Sequence, residues 1–321
     1  SFPTRRSSDP VSQSGDLIVE RQWLQTWLTE TSRQDRFVAR FSTRSGQVEL
    51  NIPKGAALGQ LTLTLDGRAV NDPLLRQERI ILPLSGPPGE PHVVEARYHF
   101  AAPRPPRGAM SFELPSLGPD AWVRRAYWQL VLPDNEQVLK TPEGFCSEMT
   151  FERRAFFWQR QPVVAQADLE RWSGATPRGP LPSATNCFLY GSFGAVTKTE
   201  VFTASHAAVF ACASGAALAA CLLLIYLPRG RMWMALGLLA AAVTAAVIVP
   251  EQALVAFQAA LPGLLLGGIG GLLARKFDRQ ATPADPISYQ TRIAPLEAVG
   301  GVQQPASTTT APIAEPASAK P

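Results

Sequence analysis

Three long apolar runs in the last third of the chain constrain its fold more than any other feature. They cover residues 207–227, 233–249 and 253–274, and none contains Asp, Glu, Lys or Arg. At about 1.5 Å of rise per residue, each run is long enough to cross a hydrocarbon core roughly 30 Å thick. The sequence therefore predicts an integral membrane protein with three transmembrane helices between residues 205 and 275.

Basic residues beside the runs predict the orientation. Arg229 and Arg231 follow the first run, three more basic residues follow the third at 275–279, and the connection at 250–252 has none. Basic residues near span ends stay on the cytoplasmic side. We therefore expect a bacterial inner (cytoplasmic) membrane protein with an extracytoplasmic N-terminal region and a cytoplasmic tail. Pro262 predicts a kink in the third span, and the alternative is a re-entrant segment.

The region before the spans carries the pattern of β-strands. Apolar and polar residues alternate over 47–52, 61–65 and 93–100, and Asp66-Gly67 is a typical hairpin turn. Clusters of Pro and Gly separate these segments, which is typical of sandwiches. The predicted fold is mainly β, with a β-sandwich-like extracytoplasmic region and a helical membrane anchor.

A Pro- and Arg-rich stretch at 101–108 is the predicted boundary inside this region. It would separate a β-sandwich-like module at 16–102 from a second β-rich module at 109–204. One continuous sandwich is the alternative. The segment 19–29 suits a helix by its i, i+4 apolar spacing, but its Trp and Thr content favours a strand.

The two ends of the chain have different compositions from the middle. Residues 1–15 are expected to be a disordered or non-native start, because 1–9 resembles a translated sequencing adapter and lacks a signal peptide. We therefore expect the chain to be the C-terminal fragment of a longer protein. Residues 276–321 are rich in Pro, Ala, Thr and Ser and predict a disordered cytoplasmic tail.

Two cysteines and two tryptophans in the outer region are candidate site residues. Cys146 and Cys187 lie in a compartment where disulfides form, so they are the disulfide candidate, with two independent thiols as the alternative. Tryptophans usually enter sandwich cores. Trp23 and Trp27, spaced by four residues, are nevertheless a candidate ligand-binding surface.

A ladder of small residues in the third run predicts close helix packing. Gly263, Gly267 and Gly271 are spaced by four residues, which lets helix backbones approach closely. The ladder fits a compact three-helix bundle, a homo-oligomer, or both. No Asp, Glu, Lys or Arg lies within the three runs, which argues against a channel or transporter.

Motifs for chemistry are missing from the sequence. It contains no nucleophile elbow, zinc-binding helix motif or phosphate-binding loop. We therefore expect no catalytic residues, no cofactor and no metal. Acidic and basic residues nearly balance before residue 205, which argues against nucleic acid as a partner.

Four segments carry a resemblance to a group of proteins. Residues 65–70, 91–98, 127–133 and 193–215 resemble uncharacterised bacterial envelope proteins that have an extracytoplasmic β-rich region followed by a short transmembrane helical anchor. The similarity spans most of residues 17–275. It implies an architecture and a location, and it implies no activity and no site residues.

The expected function follows from these features together. We expect a non-enzymatic, membrane-anchored envelope protein whose outer region binds or scaffolds an envelope protein or a glycan, with the lipid bilayer as its other partner. One alternative is an envelope sensor or regulator that couples the outer region to the tail. Another is a carbohydrate-binding accessory module of a larger protein.

Overall fold

The computed structural model describes residues 17–280, except residues 72, 77–78, 155–156, 180, 183 and 228–229. The predicted non-native start at 1–15, residues 281–321 of the predicted tail and Arg229 therefore lie outside the described residues. Within the described part the chain is mainly β, and three long apolar helices follow the strands, as the sequence predicts.

Strands occupy the region before residue 206 and are joined by short turns. The strands are β1 (Leu17–Leu28), β2 (Arg33–Thr43), β3 (Gln47–Asn51), β4 (Thr62–Leu65), β5 (Arg68–Ala69), β6 (Leu74–Arg76), β7 (Arg79–Pro83), β8 (Pro91–His99), β9 (Ala109–Glu113), β10 (Ser116–Leu117), β11 (Trp122–Val123), β12 (Ala126–Pro133), β13 (Glu136–Lys140), β14 (Cys146–Ser147), β15 (Met149–Arg154), β16 (Phe157–Pro162), β17 (Thr185–Ser192) and β18 (Lys198–Ser205). The helices are α1 (Gln166–Ser173), α2 (His206–Tyr226), α3 (Arg231–Ile248) and α4 (Pro250–Gln280). A 3-10 turn covers Leu58–Gln60.

The largest sheet joins the two halves of the outer region. Its order is β14-β17-β12-β1-β2-β8-β4-β5, with β11 also beside β1. Strand β1 pairs in parallel with β12, so that Gln22 lies opposite Ala126 and Trp27 opposite Val131. Strands from both sides of 101–108 thus share one sheet. The predicted division into modules at 16–102 and 109–204 is wrong, and the outer region, called the head below (residues 17–205), is one unit.

The hydrophobic core lies between the large sheet and two smaller ones. Alternate residues of β2, such as Phe37 and Phe41, are fully buried. They belong to one cluster with Leu50 and Ile80 of the sheet β10-β3-β7-β6, and with Val201 of the sheet β13-β18-β9. Each buried side chain of this size stabilises the fold by about 1.5–3 kcal/mol relative to exposure.

The other face of the large sheet carries a buried ion cluster under α1. The Arg36 guanidinium donates to Glu95 and Glu170, each at 2.9 Å, and to the Thr176 carbonyl at 2.6 Å. Burial raises the pKa of Glu95, but hydrogen bonds from the Thr176 N–H and the charge of Arg36 outweigh it and leave that pKa below its usual value. These contacts fasten α1 and the residues after it to the sheet.

Three helices follow the head without a linker, since β18 ends at Ser205 and α2 begins at His206. They are long and apolar enough to cross a membrane, with mean hydropathies of 2.4, 1.8 and 1.7. Helix α4 continues through Pro262 over 31 residues. The third apolar run is therefore one continuous helix, as expected for a single span and not for two re-entrant arms.

The glycine ladder of α4 lies against α2. A Cβ added at Gly263 would lie 2.0 Å from the Ser214 carbonyl oxygen, and one at Gly267 would lie 2.3 Å from the Cys221 Cβ. One at Gly271 would lie 3.4 Å from Ile225. Glycines further along α4 thus meet residues further along α2, so α2 and α4 run parallel. The ladder faces a neighbouring helix of the same chain.

The Gly263 contact gives a sharp test of helix packing. We expect Gly263→Ala to lower the thermal-unfolding midpoint of the detergent-solubilised protein, because overpacking of this kind costs about 1–3 kcal/mol. Gly268→Ala is the matched control, since a Cβ there would meet nothing within 4 Å. Equal midpoints for the two variants, measured by intrinsic fluorescence, would contradict the α2–α4 contact.

Candidate ligand-binding cleft

A cleft of about 380 Å³ opens in the head where the start of β2, strand β9 and the loop after β8 meet the start of β18. Its walls are both apolar and cationic. Its lining includes Arg33, Lys54, Phe100, Arg104, Phe112, Glu113 and Lys198. Glu113 is the one carboxylate among the residues lining the cleft.

Two phenylalanine rings form the apolar wall of the cleft, and Arg33 stacks on both of them. Its guanidinium carbon lies 4.0 Å from the ring centre of Phe100 and 4.7 Å from that of Phe112. Its Nε and Nη2 donate to the fully buried Asp35 at 3.1 and 2.6 Å. A planar guanidinium suits both stacking and a paired carboxylate. Asp35 therefore fixes the orientation of Arg33 and neutralises its charge.

Arg104 holds the loop wall in place. Its Nη1 donates to the Thr29 carbonyl at 2.9 Å, and its Nη2 donates to Glu136 at 2.5 Å. Arg107 donates to the same Glu136 carboxylate at 2.9 Å. Burial raises the pKa of Glu136, but the two arginines outweigh it and leave that pKa below its usual value. The Pro- and Arg-rich stretch that resembles a linker is thus fastened to the head.

Two lysines give the cleft its free positive charge. Lys54 lies in the turn after β3, and Lys198 opens β18 opposite Glu113 of β9. Both are exposed, and neither forms an ion pair within 4.0 Å in the part of the chain that the structure describes. The carboxylate of Glu113 instead accepts the Lys54 backbone N–H at 3.4 Å. The lysine ammonium groups are therefore available to an anion.

The arrangement suits a ligand with an anionic group beside an apolar one. Binding sites are mostly apolar, with a few placed polar groups that fix orientation, and their volumes begin near roughly 300 Å³. Here the stacked aromatic rings offer the apolar wall, and the two lysines offer the charge. Lys54 and Lys198 come from distant parts of the chain, so no local motif could have identified them in the sequence.

The two candidate disulfide cysteines are free and far apart. Cys146 lies opposite Gly191 in the β14–β17 pair, and Cys187 lies four residues from Gly191 on β17. Four residues of strand span roughly 13 Å, beyond the reach of a disulfide. The predicted disulfide is therefore wrong. Burial raises the pKa of the Cys187 thiol to about 11, although Gln129 donates to its sulfur at 3.2 Å.

The predicted ligand surface at Trp23 and Trp27 is wrong for Trp23. Residues 19–28 of the segment 19–29 lie in β1, the strand that its Trp and Thr content favours, and Trp23 is fully buried. Its ring packs with Leu169 of α1 and lies 5.1 Å from the Arg36 guanidinium. Helix α1 covers this face of β1, which the spacing of the tryptophans could not reveal. Trp27 remains partly exposed.

The described residues also bear on metal binding. Within 17–280, apart from the positions excepted above, no group of three or more His, Cys, Asp or Glu side chains is placed to hold a metal ion. His92 is buried and pairs with Asp66 at 2.7 Å, beside the Asp66-Gly67 turn. His99 is exposed on the opposite face of β8.

Comparisons with known proteins give a fold likeness at low similarity. No family model and no curated protein matches the chain. The M1 zinc metallopeptidase of Deinococcus radiodurans is 12% identical, with 58% of this chain and 42% of that chain covered at a TM-score of 0.37. Legionella pneumophila aminopeptidase A in complex with aspartic acid is 12% identical, with 60% and 21% covered at a TM-score of 0.32. The chain thus spans less than half the length of either peptidase.

These likenesses contradict the expected function. The matched structures are peptidases, contrary to the expected non-enzymatic envelope protein and to its sensor and carbohydrate-module alternatives. That assignment depended on missing local motifs, which say nothing about residues that meet only in the folded chain. At TM-scores below 0.5 the likeness transfers neither an activity nor site residues to this chain.

The Glu136 pair gives a pH prediction. A carboxyl with a lowered folded-state pKa stabilises the fold above its unfolded pKa of about 4.5, and this stabilisation is lost as the pH falls through the folded pKa. We expect Glu136→Gln to lower the unfolding midpoint at pH 7, and the deficit to shrink as the pH falls below about 4.5. Glu143→Gln, at an exposed position, is the control. A deficit that is constant with pH would contradict the ion pair.

The cysteine geometry also gives a prediction. After denaturation without reductant, all four cysteines should react with an alkylating reagent, because each is a free thiol. Mass spectrometry of the alkylated chain measures this directly. A Cys146–Cys187 crosslinked peptide would contradict the β14–β17 pairing that separates the two residues.

Proposed function

We propose that the three apolar helices span the bacterial inner membrane and that the head lies outside the cytoplasm. Arg231 at the start of α3 and Arg275 and Lys276 in α4 support this orientation, because basic residues near span ends stay in the cytoplasm. The resemblance of four sequence segments to envelope proteins supports the same placement. The alternation of buried residues in facing sheets supports a β-sandwich as the architecture of the head.

We further propose that the cleft recognises an acidic peptide segment of an extracytoplasmic protein. The observation that carries the proposal is the pair of exposed lysines, Lys54 and Lys198, beside the rings of Phe100 and Phe112. A peptide that places a carboxylate next to an apolar side chain satisfies both parts of the cleft. Both binding proteins and enzymes recognise peptides in this way, and we propose binding without a catalytic step.

The lysines supply attraction and the rings supply specificity. Exposed ammonium groups steer an anion and each contribute modestly, because water and salt screen them. The rings, already stacked on Arg33, bury an apolar side chain without further ordering. Binding should therefore weaken with added salt and still distinguish an acidic peptide that has an apolar residue from one that lacks it.

The test uses the full chain in nanodiscs and two labelled peptides that differ only in glutamate against glutamine beside a leucine. We expect the glutamate peptide to bind more tightly. The double variant Lys54→Gln/Lys198→Gln should weaken it about tenfold, as expected for two contacts of roughly 0.7 kcal/mol each. Fluorescence anisotropy measures the affinities.

Lys140→Gln is the matched control, because Lys140 is an exposed lysine outside the cleft. It should leave the affinity unchanged. Equal binding of the two peptides to the natural chain, or equal losses in the double variant and the control, would refute recognition at the cleft.

A further inference from the structure

The hairpin of β15 and β16 is joined to α4 by side-chain and backbone contacts. Strand β16 pairs with β15 on one edge. At its other edge, the Gln258 amide lies against the Trp158 backbone; in the amide orientation that satisfies both groups, it donates to the Trp158 carbonyl at 3.2 Å and accepts the Trp158 N–H at 3.0 Å. Two residues along the strand, Arg160 lies 3.8 Å from Glu251. The free edge of the hairpin is thus held along the first turns of α4.

These contacts fix the height of Trp158 relative to the helices. Gly263 packs on Ser214 in the parallel pair of α4 and α2, so Gln258, five residues earlier, lies level with Val209. Val209 is three residues into α2 from His206, a rise of about 4–5 Å. Trp158 therefore lies beside the bundle about one helical turn beyond the first residue of α2, on the side away from the head. Arg160 lies closer to the head.

Part of the Trp158 side chain is uncovered at this height, among the residues that the structure describes. It is 47% exposed, although it lies beside helices whose surface is apolar. Phe210 of α2, almost level with it, is 49% exposed. Tryptophan is enriched at membrane interfaces because its large ring is apolar and its N–H is polar. An aromatic residue at the top of an apolar bundle, with Arg160 just above it, follows this pattern.

We propose that the Trp158 side chain of β16 lies among the lipid headgroups of the outer leaflet and anchors this edge of the head there. The proposal rests on the spanning arrangement proposed above and is independent of the ligand of the cleft. The occupant of the exposed surface is lipid. The hairpin would add a second attachment of the head to the bilayer, besides the direct junction of β18 with α2.

The experiment measures quenching of tryptophan emission by brominated phospholipid in nanodiscs that contain the full chain. Of the seven tryptophans, Trp158 and Trp233, at the start of α3, lie at the two ends of the bundle. We expect Trp158→Phe to remove roughly half of the lipid-quenchable emission. Phenylalanine keeps the backbone bonds to Gln258, so the hairpin stays in place.

Two variants separate the outcomes. Trp122→Phe is the control, because Trp122 is similarly exposed, at 57%. Trp122 lies beside Ile18 of β1, and Val131, at the end of the sheet near the helices, lies beside Trp27. These nine residues of strand place Trp122 roughly 30 Å from that end of the sheet. It should leave quenching unchanged. Trp233→Phe reports insertion of the bundle. Loss of quenching in Trp233→Phe without loss in Trp158→Phe would refute the hairpin anchor, and no loss in either would refute the spanning arrangement itself.

Discussion

The parallel pairing of β1 with β12 is the interaction on which the rest of the head depends. Strand β1 lies between β2 and β12, so it joins the early strands to those that follow residue 109. Both faces of β1 are buried, one in the core and the other under α1, which fixes the position of this strand. The cleft exists because this pairing brings the end of β1 close to the loop after β8 and to β9 and β18.

Buried charges hold the irregular parts to this sheet. Taking a guanidinium out of water is costly unless carboxylates and carbonyls replace the lost hydration. Arg36 finds two carboxylates and a carbonyl under α1, and Arg104 finds Glu136 and the Thr29 carbonyl beside the cleft. Each cluster stabilises a loop that would otherwise have little apolar area to bury. Removing one partner would leave the others buried and unsatisfied, so these clusters specify geometry as well as stability.

Local features of the chain were predictable from its sequence, and long-range ones were not. The alternation around Val48 and Leu50 gave a strand, Asp66-Gly67 gave a two-residue hairpin loop, and the apolar runs gave three helices close to their observed bounds. These signals arise from neighbours in the chain.

The errors share a cause. The division at 101–108 failed because a parallel pair about 100 residues apart leaves no local signal, and because Arg104 fastens a stretch that has a linker's composition. The Cys146–Cys187 bridge failed because strand register decides the separation of two cysteines. The lysines of the cleft were missed for the same reason. The glycine spacing indicated a close helix contact, and the structure supplied its partner, α2.

The junction of β18 with α2 has a mechanical consequence. Strand and helix meet at Ser205 and His206 with no residue between them, and the His206 N–H donates to the Asn135 carbonyl of the head at 2.8 Å. Lys198 is seven residues up the same strand, roughly 23 Å along the chain. Because a continuous strand joins the cleft to α2, the cleft cannot move through a large volume, as a cleft on a flexible linker would. In the proposed spanning arrangement, a ligand of the cleft would have to reach a fixed height above the lipid, which favours partners that diffuse in the same membrane over those dissolved beyond it.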